Sequence, residues 1–88
     1  MKLTLVVDEP DAGWRRNDVL TVIAYVEEHI WGGELAWRWM SAPDDEWFAT
    51  NLNPMSVTVP PRSDTLVCSG RRAEEGWKTA TYDVEVKA

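Results

Sequence analysis

Runs of β-branched and aromatic residues recur along this chain, and every 8 to 14 positions a cluster of Gly, Pro, Asn or Asp closes one of them. This punctuation leaves room for short strands and little for long helices, and its spacing is that of a sandwich or barrel. The closing clusters are DEPDAG, HIWGG, APDD, NLNP, PPRS and RRAEEG, all rich in turn-forming residues. Between them the predicted strands cover 2–7, 18–28, 34–41, 46–50, 55–59, 64–69 and 79–87. The expected fold is therefore all-β, an antiparallel sandwich of about seven strands. Whether 46–50 pairs with 34–41 or crosses to the other sheet stays open at this level.

Side chains alternate across a strand, so each run splits into two faces. In 79–87, Ala80, Tyr82, Val84 and Val86 share one face while Thr79, Thr81, Asp83 and Glu85 face water. In 18–28, Leu20, Val22, Ala24 and Val26 point one way; in 34–41, Leu35, Trp37 and Trp39 do the same. With Leu66 and Cys68 these residues form the predicted core. The stretch 17–30 also admits a helix, with Asn17 as cap and Val19, Leu20, Ile23, Val26 and Ile30 near one stripe. Its β-branched content and its strand-like neighbours favour the strand.

Length permits one domain over 1–88 and one modest core, since a chain of this size buries roughly 60 to 65 % of its unfolded surface. Hydrophobic content of 44 % with 27 % charged residues is that of a folding globular chain. Fifteen acids against nine bases give a net charge of −6, which sets the overall field against nucleic acid and anionic lipid. The basic pairs Arg15-Arg16 and Arg71-Arg72 sit beside acids and read as mixed, solvated surface. No run approaches the roughly 18 to 20 apolar residues of a membrane span, and MKLTLVVDEP is too short for a signal-peptide core. Read as a natural start, Met1 points to synthesis in the cytoplasm without a secretion address.

Cys68 is the only cysteine, so an internal disulfide is excluded. A tryptophan in the third predicted strand and a cysteine in the penultimate one resemble the Cys, Trp, Cys signature of the immunoglobulin-like sandwich. In that resemblance the partner position falls near Ala24, and Trp37 lies 13 residues after it as the core tryptophan. Cys68 is then implied to pack as a small apolar residue against Ala24 and Trp37. The position two residues before the cysteine, a tyrosine in antibody domains, is Leu66 here. The disulfide-free immunoglobulin-like modules of bacterial surface proteins and of phage capsid and tail proteins fit this pattern better.

Enzymatic chemistry has no foothold. One His and one Cys, far apart, make no zinc or iron–sulfur pattern, and Gly32-Gly33 lacks the rest of a phosphate loop. The acidic clusters Asp8-Glu9-Asp11 and Asp44-Asp45-Glu46 lack the alternation of a calcium loop and read as solvated turns. No cofactor or metal is expected. Six tryptophans are the unusual feature. Trp37 and Trp39 belong in the core, whereas Trp14, Trp31, Trp47 and Trp77 lie in or beside turns. The immunoglobulin-like topology implies that Trp31 and Trp77 meet at one pole with His29, Arg71 and Arg72, and that Trp14 belongs at the other end. Trp and Arg are enriched in interface hot spots, so this pole is the candidate surface for a protein partner. The expected function is non-enzymatic binding or structure, most concretely a phage decoration or tail-associated protein that self-associates or joins a capsid or tail assembly. The alternative is a small acidic inhibitor, an anti-defence protein or nucleic-acid mimic.

Overall fold

A computed structural model describes residues 2–72 and 76–87. Among them every regular element is a strand: β1 (Leu3–Val7), β2 (Trp14–Arg15), β3 (Val19–Val26), β4 (His29–Ile30), β5 (Glu34–Trp39), β6 (Ala49–Thr50), β7 (Met55–Thr58), β8 (Asp64–Arg71), β9 (Lys78–Val84) and β10 (Val86–Lys87). Among the described residues no helix is long and apolar enough to cross a membrane. The fold is all-β with antiparallel sheets, an arrangement compatible with a β-sandwich.

The first sheet is organised by β3. It pairs with β1 along one edge, and with β7 and β4 along the other, all antiparallel. The second sheet runs β6-β5-β8-β9, again antiparallel throughout. β2 and β10 make a separate parallel pair, Val86 opposite Trp14. The helix alternative for 17–30 is excluded. The run is rich in β-branched residues, and burial along β3 alternates with a period of two, with Leu20, Val22, Ala24 and Val26 buried.

Several predicted boundaries change. The strand assigned to 18–28 ends at Val26, and the chain reverses through Glu27, at φ 54°, so that His29 and Ile30 pair back onto Val26 and Tyr25. The segment 46–50 shrinks to β6 and pairs with β5, Ala49 opposite Trp37, which answers the pairing question. Residues 79–87 break at Glu85 into β9 and β10. The turn containing Trp14 carries β2, which no alternation over two residues could reveal.

One buried cluster takes side chains from both sheets. Leu20, Val22 and Ala24 of β3, Trp37 of β5, Leu66 and Cys68 of β8 and Val84 of β9 are all buried as expected. Trp39 and Tyr82 are half-buried against its margin. Burying Trp37 completely requires a partner for its indole N–H, and Nε1 donates to the Leu52 carbonyl at 2.9 Å. Cys68 stands opposite Trp37 on one side and Ala80 on the other. It shares the cluster with Ala24.

Between β7, which reaches Val22, and β4, which begins at Tyr25, the edge of β3 has a gap. The side chain of Asn53 fills it. Its Oδ1 accepts from the Ala24 N–H at 2.9 Å, and its Nδ2 donates to the carbonyls of Ala24 at 3.0 Å and Trp31 at 3.1 Å. One amide thus substitutes for a strand residue. Replacing Asn53 with Ala strands the Ala24 N–H and the Trp31 carbonyl in a partly buried position, while the Ala24 carbonyl keeps the Trp31 N–H as donor, and should lower stability by about 1 to 3 kcal/mol for a single orphaned group, or more if both stay unsatisfied. Urea unfolding of Asn53→Ala against the parent measures it, and an unchanged midpoint would show that water replaces the amide at no penalty.

Candidate interaction surface

The pole assembled by β4, β5 and the ends of β8 and β9 is built on the β5–β8 register, which sets Glu34 opposite Arg71 and Leu35 opposite Gly70. Gly70 has a packing reason. A Cβ added there would lie 2.9 Å from Cε2 and Cζ2 of Trp31, so the absent side chain is the slot that the indole occupies. Trp31 is only 3 % exposed; its backbone N–H donates to the Ala24 carbonyl at 2.9 Å and its Nε1 to the Glu34 carbonyl at 3.2 Å. The expectation of a solvent-facing Trp31 is therefore corrected. Its ring closes the end of the core, where burying the large indole outweighs leaving it in a turn.

Arg72 covers the remaining face, with Cζ 5.8 Å from the Trp31 ring centroid. A Cβ on Gly33 would collide with the Arg71 carbonyl oxygen, so the turn before β5 packs directly on the chain at Arg71. His29 is exposed, and with Ile30 and Arg72 it lines one shallow groove. Trp14 is likewise buried, with Nε1 donating to the Tyr82 hydroxyl at 3.0 Å, which in turn donates to Glu9 at 3.1 Å. Burial first, and Glu9 with it, raises the Tyr82 pKa, while the Trp14 bond opposes the shift.

What this pole presents to solvent is Trp77, 55 % exposed, and Ile30, 56 % exposed. The Arg71 guanidinium lies over the Trp77 ring, 5.0 Å from its centroid, and its Nη2 meets Glu34 Oε1 at 3.0 Å. The ring is held in place from below by a charged side chain that is itself held. Of the residues assigned to this pole from the sequence, Trp77, Arg71, Arg72 and His29 remain at the surface or its margin and Trp31 does not.

A second apolar patch lies where β5 ends. Met40, Trp47 and Phe48 are all exposed, Phe48 stacks on Trp39 with centroids 6.1 Å apart, and Arg38 sits 5.5 Å from the Trp47 centroid while reaching Asp44 at 3.6 Å. Only Trp47 had been singled out in the sequence. The missed signal is the apolar pair at the end of the acidic turn, which a strand over 46–50 would have divided between two faces.

Burial pushes the Cys68 thiol up to about 12, far from the depressed value that a nucleophile or metal ligand needs. Among the described residues no group of three or more His, Cys, Asp or Glu is placed to hold a metal ion. Comparison with protein-family models, curated proteins and solved structures finds no match to this chain.

Proposed function

We propose that this chain is an immunoglobulin-like sandwich that binds another protein and catalyses nothing. The strand pattern supports the fold reading. Trp37 on β5 stands opposite Cys68 on β8, and both share the buried cluster with Ala24 of β3 in the facing sheet. A buried tryptophan on the third main strand packed beside the cysteine site is a feature of that architecture.

The observation that carries the function is Trp77. A large ring more than half exposed, positioned by Arg71 and Glu34, presents apolar area whose ordering penalty is already met in the free protein. The most concrete form of this reading is an accessory protein of a large assembly, such as a phage decoration or tail-associated protein.

Sedimentation over a broad concentration range, alone and with particles or lysate from the natural source, tests it. Self-association or co-sedimentation with an assembly, lost in Trp77→Ala and kept in Trp47→Ala, is the expected result, with a loss of about 2 kcal/mol or more of binding for a hot-spot ring. Capture of one soluble host protein by a monomer that ignores particles would replace the assembly reading with the inhibitor. Binding indifferent to Trp77→Ala would remove this pole from the account.

A further inference from the structure

β3 organises the first sheet, and its residues alternate between two faces. Leu20, Val22, Ala24 and Val26 fill the core, so Val19, Thr21, Ile23 and Tyr25 point outward. Register carries this outer face onto the neighbouring strands. Thr4 and Val6 of β1 stand opposite Tyr25 and Ile23, and Ile30 of β4 meets Tyr25 from the other edge. Ser56 and Thr58 of β7 stand opposite Thr21 and Val19, and the Thr21 and Ser56 hydroxyls share a hydrogen bond at 2.9 Å. Not one of these side chains is charged. The outer face of the second sheet, by contrast, carries Glu34 and Arg38 on β5, Arg71 on β8 and Asp83 on β9. The solvated face of an antiparallel sheet is ordinarily polar, and an exposed apolar patch marks an interaction site. Here Val6, Val19 and Ile30, each at least half exposed, lie among hydroxyls in a chain of net charge −6. Charges stand just past the strand ends, Lys2 and Asp8 beside β1, Asp18 and Glu27 beside β3.

We infer that this face packs against the same face of a second copy of the chain, in a reversible two-fold dimer. A surface that pairs with itself sets like charges against each other, so it has to be uncharged, as this one is. Its polar groups must also serve as donor and acceptor at once. The hydroxyls of Thr4, Thr21, Tyr25, Ser56 and Thr58 do both, which carboxylates or ammonium groups alone could not. Two sheets stack face to face about 10 Å apart when their twists agree, and a second copy brings an identical twist. Size sets the strength. The eight residues of β3 and three strands abreast give each copy a footprint of about 26 Å by 14 Å at its fullest, roughly 360 Å² before side-chain relief. That is the low end of specific interfaces, so monomer and dimer exchange with concentration. The charge of −6 on each copy opposes pairing, and salt, by screening that repulsion, strengthens the dimer.

The dimer uses a different surface from Trp77 and needs no natural partner, so the two readings fail separately: Trp77→Ala should keep the dimer and lose only association beyond it or capture of an assembly. Sedimentation equilibrium of the full chain, with amide chemical shifts of the labelled chain diluted from about 1 mM to 10 µM, tests it. The expected result is a monomer–dimer equilibrium that tightens between low and 0.5 M salt, with dilution shifts centred on residues 4–6, 19–25, 30 and 56–58. Val6→Asp with Val19→Asp should weaken the dimer at least tenfold, because each new charge enters a two-fold interface twice, while thermal unfolding stays close to the parent's. Thr58→Glu, at an exposed hydroxyl position, is a second block, and the dilution shifts of the parent decide the matter even if neither variant folds. A chain that stays monomeric at about 1 mM in 0.5 M salt, a dimer that salt dissolves, or dilution shifts centred on Trp47 and Phe48 or on Trp77 would each overturn it.

Discussion

Trp31→Ala unfolds the domain at a far lower temperature than the parent: removing a buried Trp costs about 3 to 5 kcal/mol, which in a domain of this size lowers Tm by roughly 12 °C or more. The loss has three parts. The apolar contacts of a ring that is only 3 % exposed disappear, the Glu34 carbonyl loses its indole donor, and the slot over Gly70 becomes a cavity. Trp31→Phe keeps most of the ring and loses the hydrogen bond, so it should fall between. Trp77→Ala, at the same pole, should change stability by about 1 kcal/mol or less, because it removes an exposed ring and one cation–π contact. Thermal unfolding of the three variants side by side distinguishes a plug from a presented surface. Similar losses for Trp31→Ala and Trp77→Ala would mean that both rings hold the fold.

The second large effect is alkaline. The Cys68 thiol is raised from an ordinary value of 9.0 to about 12 in the folded chain by burial. The unfolded chain therefore releases its proton first, and folding keeps a proton that unfolding gives up. The stabilising contribution is complete below pH 9 and is lost as pH climbs from 9 toward 12, at about 1.4 kcal/mol per unit. Tyr82, also raised, acts in the same direction at slightly higher pH. Urea midpoints at pH 8, 9, 10 and 10.5 should fall steeply for the parent and less steeply for Cys68→Ala, whose stability at pH 8 starts lower through lost packing. Equal slopes would show that the thiol is not the titrating group. Near pH 8 the native thiol should react with a disulfide reagent only as fast as the chain opens.

Much of the framework was legible in the residues, because burial and strand pairing impose a period of two that the chain writes openly. The alternation from Thr79 to Val86 and the β-branched run after Asp18 both became strands, and the apolar faces drawn through Leu20, Val22 and Ala24 became the core. The turn at Glu27-Glu28 was illegible for a definite reason. Two glutamates carry no turn chemistry, and Glu27 adopts a left-handed φ of 54° because the strands on either side pair, not because its side chain favours it. Trp31 was misplaced because a residue beside Gly32-Gly33 looks like a loop residue; only the tertiary fit to Gly70 shows that the ring turns inward. Gly70 inside a strand was the available sign, since a strand glycine often marks the close approach of another group. The placement of Trp47 and Phe48 escaped because the rings meet Arg38 and Trp39, nine residues earlier, only when β5 and β6 pair.

The amide of Asn53 has a dynamic consequence. β4 and β7 are short neighbours of the same strand edge, separated in the chain, and either one alone would fray readily. By bonding Ala24 and Trp31 together, Asn53 joins them into one continuous border. The hairpin at Glu27 and the strand beginning at Met55 should then open as a single cooperative unit, with the Ala24 amide exchanging at the rate of the whole border. In Asn53→Ala the two halves become independent, and the pole that carries Ile30 is free to breathe while β7 stays closed.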